Sequence, residues 1–271
     1  MQLRSHLWAD LTRSEIAEAR HAGALVVIPV GATEQHSEHL PVGTDSFTSG
    51  AFSLMAAEAC DYPVLVTPTV FAAFSPHHAS WPGTLTLKLA TISALLEDIT
   101  ASIERAGFKR QLMVNGHGGN RGPLTAISTE LITAGREVGY VDYFAPPRAE
   151  FDTILKGSRG GVTHSGEAET ALMMSLHQSI PGRADLYREK AQDRAPRNKA
   201  TYWLSDAPNA ITQAGAWWPP IYAAGDVGYN GDPAAATLET GNQLSAAIVE
   251  KLAAFFAAFA AADLRSGGME R

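Results

Sequence analysis

The sequence predicts a layered α/β fold, with a mostly parallel central sheet flanked by helices, in a single domain of 271 residues. Three observations predict it. Short apolar runs of strand length lack polar alternation, which suits strands covered on both faces. Segments with helical apolar spacing alternate with them. Glycine and proline punctuate the joints.

Thr12-Arg-Ser-Glu15 has capping-box spacing and opens a helix through about Ala22. Residues 24–30 form a continuous β-branched strand, and a polar loop follows it, at the strand end where open α/β sheets bind ligands. Asp45 closes that loop and is expected to cap a helix to about Cys60. Residues 64–67 read as a second strand ended by Pro68, and Ser75-Pro-His-His-Ala-Ser-Trp-Pro-Gly-Thr84 as a loop. Residues 91–106 have helical spacing (Ile92, Leu95, Leu96, Ile99, Ile103), stopped by Gly107. A third strand, 111–114, feeds Asn115-Gly-His117-Gly-Gly-Asn120 into a helix through about Ala134, and 138–144 is a fourth. From about 180 to 230 the periodicity fades into an irregular lid or subunit-contact region. Asp232-Pro233 supplies an N-cap and N1 pair for a last, alanine-rich helix to about Leu264.

An apolar content of 45% with 18% charged residues is ordinary for a soluble globular protein. A net charge of −7 and the lack of any Lys/Arg run argue against nucleic acid. The first ten residues hold no apolar secretory core, and the apolar stretch 252–262 is too short to span a bilayer. A cytoplasmic protein without membrane contact is expected. Cys60 is the only cysteine, so thiolate metal sites are excluded.

The chemistry concentrates in three clusters. Glu34, His36, Glu38, His39 and Asp45 crowd one loop. In extended chain Glu34 and His36 point the same way, and Asp45 returns after Pro41 and Gly43 to face them. Mixed imidazole and carboxylate donors suit Zn, Mn or Fe(II). Glu38 and His39 read as neighbours, with His39 placed to orient a ligating carboxylate. The competing view is a solvated polar loop.

His117 sits at the tip of a Gly-rich turn as a metal ligand; the turn lacks the Lys-Ser/Thr of a phosphate loop. The third cluster, His164, Glu167 and Glu169, precedes an apolar helix, where a carboxylate also favours the helix dipole. His77, His78, Asp226 and Asp232 are further candidates, Asp232 rather as an N-cap. Trp203, Trp217, Trp218 and Tyr222 line a pocket or pack a core or interface. No nucleophile elbow or Ser-His-Asp context appears.

These residues resemble the creatininase (creatinine amidohydrolase) family. The matching pieces are Gly31-Ala-Thr-Glu34-Gln-His36, His39-Leu-Pro41, Thr44-Asp45, Pro82-Gly-Thr84, Asn115-Gly-His117-Gly-Gly-Asn120, His164 to Thr170, and Gly231-Asp-Pro233. The resemblance implies a creatininase-like fold, two divalent metal ions (Zn, Mn or Fe) per subunit, and a homo-oligomer, often a hexamer. It implies Glu34, Asp45 and His117 as ligands of one ion, and His36 with bridging Asp45 and a further carboxylate as ligands of the other. Creatininase proper is understood to take that last carboxylate two positions after the histidine. Here that position is Gly119. The Gly-Gly form of the family points instead to Glu169, with Glu167 the other choice. Ser37 and Glu38 replace the family's usual Gly-Pro.

The expected activity is dinuclear-metal-dependent hydrolysis of a non-peptide C–N bond in a small cyclic amide, with a formamide as the alternative. Glu167 or His164 would shuttle the proton to the leaving nitrogen. Two other expectations compete: a non-catalytic metal- or ligand-binding protein on the same fold, and a metal phosphatase. The second has only Arg121 nearby to hold phosphate.

Overall fold

The computed structural model describes residues 3–157, 162–197 and 226–264. Among them four strands form one sheet: β1 (Leu25–Val30), β2 (Val64–Val66), β3 (Arg110–Asn115) and β4 (Glu137–Asp142). All pairs are parallel, in the order β2-β1-β3-β4. Eight α-helices accompany them: α1 (Arg13–His21), α2 (Thr44–Glu58), α3 (Leu89–Arg105), α4 (Arg121–Thr133), α5 (Arg148–Ile154), α6 (Glu167–Leu176), α7 (Arg183–Gln192) and α8 (Leu238–Ala261).

Every residue of β1 is buried, as a central strand covered on both faces requires. Successive side chains alternate between two cores. Leu25, Val27, Leu112 and Val114 meet Phe52 of α2, Leu172 of α6, and Leu244, Ile248 and Phe256 of α8. Val26, Ile28, Val30 and Met113 meet Ile92, Leu96 and Ile103 of α3 and Leu124, Ile127 and Leu131 of α4. Each such side chain contributes about 1.5–3 kcal/mol of burial. By length and composition alone, α8 is apolar enough to cross a membrane. One face of it, with Leu244, Ile248, Leu252 and Phe256, packs into the core.

Thr12 and Glu15 form the expected capping box: Glu15 Oε2 accepts from Thr12 N at 2.8 Å, and Thr12 Oγ1 from Glu15 N. Two expected caps are corrected. The N-cap of α2 is Gly43, and Asp45 lies inside the first turn, 3% exposed. Asp232-Pro233 opens only a 3-10 turn, Pro233–Ala235; α8 starts later, where Thr237 Oγ1 accepts from Thr240 N at 3.0 Å.

Two helices were not anticipated. One, α7, falls within the stretch read as irregular; it buries only Tyr187 and Ala191, too few apolar positions to show a period. The other, α5, has seven residues and buries only Phe151. Trp203, Trp217, Trp218 and Tyr222 lie outside the described residues.

From β1 the chain runs to β2 on one side of the sheet, whereas β3 and β4 lie on the other. The C-terminal ends of β1 and β3 are side by side, with Val30 paired to Asn115. That crevice, where the strand order reverses, is where open parallel sheets place ligands.

Candidate metal centre

The loops after β1 and β3 meet over the first turn of α2. Gly116 permits this approach, since a β-carbon there would overlap the backbone of Asp45 and lie 2.9 Å from Ser49 Cβ. A side-chain network fixes the β3 loop. Asn115 Oδ1 accepts from His117 N, while its Nδ2 donates to the His117 carbonyl and to Asp142. Asn120 ties the loop to neighbouring chain, donating to the Gly31 carbonyl and accepting from Phe74 N.

Asp45 stands between two imidazoles. His36 Nε2 lies 3.1 Å from Asp45 Oδ1, and His117 Nδ1 lies 3.2 Å from Asp45 Oδ2. Each ring is held from behind. His36 Nδ1 donates to the Glu34 carbonyl at 3.0 Å, and His117 Nε2 faces the Phe74 carbonyl at 3.3 Å and Ser75 Oγ at 3.2 Å. A backbone carbonyl behind an imidazole holds one N–H and aims the other nitrogen inward, where a bound ion would displace its proton.

Two more carboxylates converge. Glu34 Oε1 lies 3.3 Å from His117 Nδ1, and Glu169 Oε2 lies 3.6 Å from His36 Nε2. Glu169 Oε2 also accepts from Ser165 N at 2.6 Å. His39 props that turn, its Nε2 3.1 Å from the Ser165 carbonyl, while Glu38 is exposed.

Around Glu34 gather three further imidazoles. His78 Nε2 is 3.4 Å and His164 Nδ1 3.6 Å from Oε1. The His77 ring stacks on His117 with centroids 5.4 Å apart. Loop composition had marked His77 and His78 without giving them a place. Gln35, which touches both His78 and His164, carried no sequence signal, because a neutral amide attracts no attention in a motif of acids and imidazoles.

The structure thus brings together Glu34, His36, Asp45, His117, His164 and Glu169: Glu34, His36 and Asp45 lie within reach of one ion, as do His36, His164 and Glu169, and His117 Nδ1 lies beside both Glu34 Oε1 and Asp45 Oδ2. It sets Glu167 apart: that carboxylate accepts from Lys156 N at 3.0 Å and Gly157 N at 2.5 Å. Residues two apart on a helix point about 200° apart, so only one of Glu167 and Glu169 faces the crevice. Asp226 pairs with Arg197 at 2.7 Å, and Asp232 sits at the 3-10 turn. Arg121, the one cation that a phosphate was expected to meet, pairs through Nε with Asp142 at 2.7 Å.

Burial disfavours charge throughout, and the neighbours decide the outcome. Glu34 is pushed up by burial, yet His117 and His78 hold it well below the usual range. Burial works against charge on His36, but Asp45, Glu169 and Glu34 lift its pKa to about 10. Burial, reinforced by Asp45 and Glu34 against the pull of His36, raises Glu169 to about 7. His77 falls to about 4 and His78 to about 2, mainly through burial. Glu34 Oε2 is buried without a hydrogen-bond partner, and Asp45 Oδ2 has only the His117 imidazole beside it. Leaving buried carboxylate oxygens unpaired costs several kcal/mol. A divalent cation relieves that cost, and this donor set fits one.

A parallel α/β sheet with a candidate metal centre at its switch point is the class that fold and site define. The family model for creatininase (creatinine amidohydrolase) matches residues 9–256. The chain belongs to the creatininase family. It is 29% identical over 233 residues to the mycofactocin precursor peptide peptidase of Mycobacterium tuberculosis, covering 83% of this chain and 81% of that one. It is 29% identical over 189 residues to the creatinine amidohydrolase of Pseudomonas putida, covering 63% and 72%. Among solved structures, a candidate creatinine amidohydrolase from Bacteroides fragilis superposes with a TM-score of 0.73 at 26% identity, over 97% of this chain and 99% of that one. A manganese form of creatininase shares the fold at a TM-score of 0.73 and 23% identity, over 93% and 97%.

Proposed function

We propose that this chain is a two-metal amidohydrolase that cleaves the C–N bond of a small amide, cyclic or formyl. The observation that carries this reading is Asp45, whose two oxygens face two different imidazoles, at 3.1 and 3.2 Å. Glu34, Asp45 and His117 would hold one ion, and His36, Asp45 and Glu169 the other. Zinc, manganese and iron suit these donors.

Bound ions of this kind supply an activated water and a Lewis acid for the carbonyl oxygen. The chain's own groups do the rest. His164, at the edge of the cluster with its side chain 14% exposed, is placed to donate a hydrogen bond to the amide as it is cleaved. Glu167, bonded to two backbone N–H groups, orders the 155–157 turn instead. A β-carbon added at Gly118 would meet nothing within 4 Å, so substrate can lie against the loop backbone there.

A peptide amide is the second reading, favoured by the relative that cleaves a precursor peptide. The test is turnover of creatinine, small lactams, formamides and short peptides by protein loaded with manganese, zinc or iron. Ring opening of a cyclic amide or release of formate from a formamide supports the first reading, and cleavage of peptides alone supports the second. If no amide is cleaved under any metal, the amidohydrolase assignment fails.

A further inference from the structure

Gln35 lies between the two strongest ligand candidates of its loop and is 4% exposed. Its orientation is fixed. Oε1 accepts from Ser37 N at 2.8 Å, so the amide cannot flip without setting donor against donor. Gly228 closes over the same oxygen; with φ of +71° it brings backbone where a β-carbon would overlap Gln35 Oε1. The amide NH2 therefore faces the other way, 3.2 Å from His78 Nδ1 and 2.9 Å from His164 Nε2.

An NH2 group only donates, so both of those ring nitrogens must accept. A neutral imidazole whose one nitrogen accepts carries its proton on the other. That places protons on His78 Nε2 and His164 Nδ1, the two atoms that face Glu34 Oε1 at 3.4 and 3.6 Å. The geometry points to Gln35 as a positioning residue that sets the donor tautomers of His78 and His164, so that these rings present N–H groups to the reaction centre and bind no ion. The grouping Glu34–His78–His164, which spacing alone would admit as a metal site, is then a hydrogen-bond array around Glu34. The role of the His164 proton in turnover rests on the amidohydrolase reading; the tautomers do not.

The test is nitrogen-15 NMR of histidine-labelled, zinc-loaded protein, with resonances assigned through His78→Phe and His164→Phe. The native protein is expected to show His164 protonated at Nδ1 and His78 at Nε2. In Gln35→Glu, which keeps the shape but only accepts, His164 Nε2 gains the proton. In the same variant kcat falls by about 10²-fold, with KM and metal content near native, because losing one pre-aimed N–H donor at the reaction centre costs about that much. Native spectra with His164 protonated at Nε2, or tautomers unchanged in Gln35→Glu, would overturn the assignment. Expected spectra without turnover of any amide would instead sink the amidohydrolase reading and leave Gln35 in place.

Discussion

His77 stands over Gly119: a β-carbon added at 119 would lie 2.5 Å from His77 Cε1 and against His117 Nε2. The resemblance to creatininase had marked this glycine as the place where a ligating carboxylate is missing. The structure gives a physical reason, since an imidazole fills the space that a side chain at 119 would need. Gly119→Ala should therefore cost about 1–3 kcal/mol through overpacking, seen as a drop in Tm. Gly119→Glu should lose metal rather than gain a ligand. A Gly119→Glu protein with native Tm and metal content would show that the space is available.

Glu169 and Glu167 should separate cleanly. Glu169→Gln removes a donor 3.6 Å from His36 Nε2 and is expected to lose one of two ions. Glu167→Gln touches only the turn at Lys156 and Gly157, so it should keep both ions and lose some thermal stability. Metal analysis of the two purified variants decides; the opposite pattern would exchange their roles.

Ser37 adopts a left-handed φ of 56°, and its Oγ donates to the Val227 carbonyl at 2.7 Å. The conformation costs a non-glycine residue about 1–2 kcal/mol, which the hydrogen bond offsets by about 0.5–1.5 kcal/mol. Ser37→Ala keeps the strain and loses the bond, so its Tm should fall. Ser37→Gly loses both and should stay near native. Equal losses in the two variants would show that the hydroxyl alone matters.

Glu15 gives a pH signature remote from the metal centre. Its bond to the Arg4 guanidinium, helped by Thr12, lowers its pKa from 4.5 to about 2. A depressed carboxylate contributes stability that is fully present above its unfolded pKa and is lost as pH falls through the folded one. The Tm difference between native protein and Glu15→Gln should be constant above pH 4.5 and close towards pH 2. A difference that persists unchanged at pH 2 would contradict the pairing.

Much of this fold was legible because its strands are uninterrupted apolar runs and its first helix carries a complete capping box. The false start at Asp232-Pro233 came from chemistry that fits a 3-10 turn as well as an α-helix. Helix α7 stayed hidden because it buries two residues of ten. At the site, Glu34, His36 and Asp45 announced themselves by density within one loop. The role of Gln35 did not, since its partners His78 and His164 are 43 and 129 residues away. The loops after β1 and β2 and the segment before α6 meet there only once the sheet has formed.

The central claim is that Asp45 holds two ions at once. It is tested most directly by counting metal in native protein and in Asp45→Ala by mass spectrometry, with circular dichroism to confirm folding. The account predicts two ions per chain in the native protein and almost none in folded Asp45→Ala. Two ions retained in folded Asp45→Ala would contradict it.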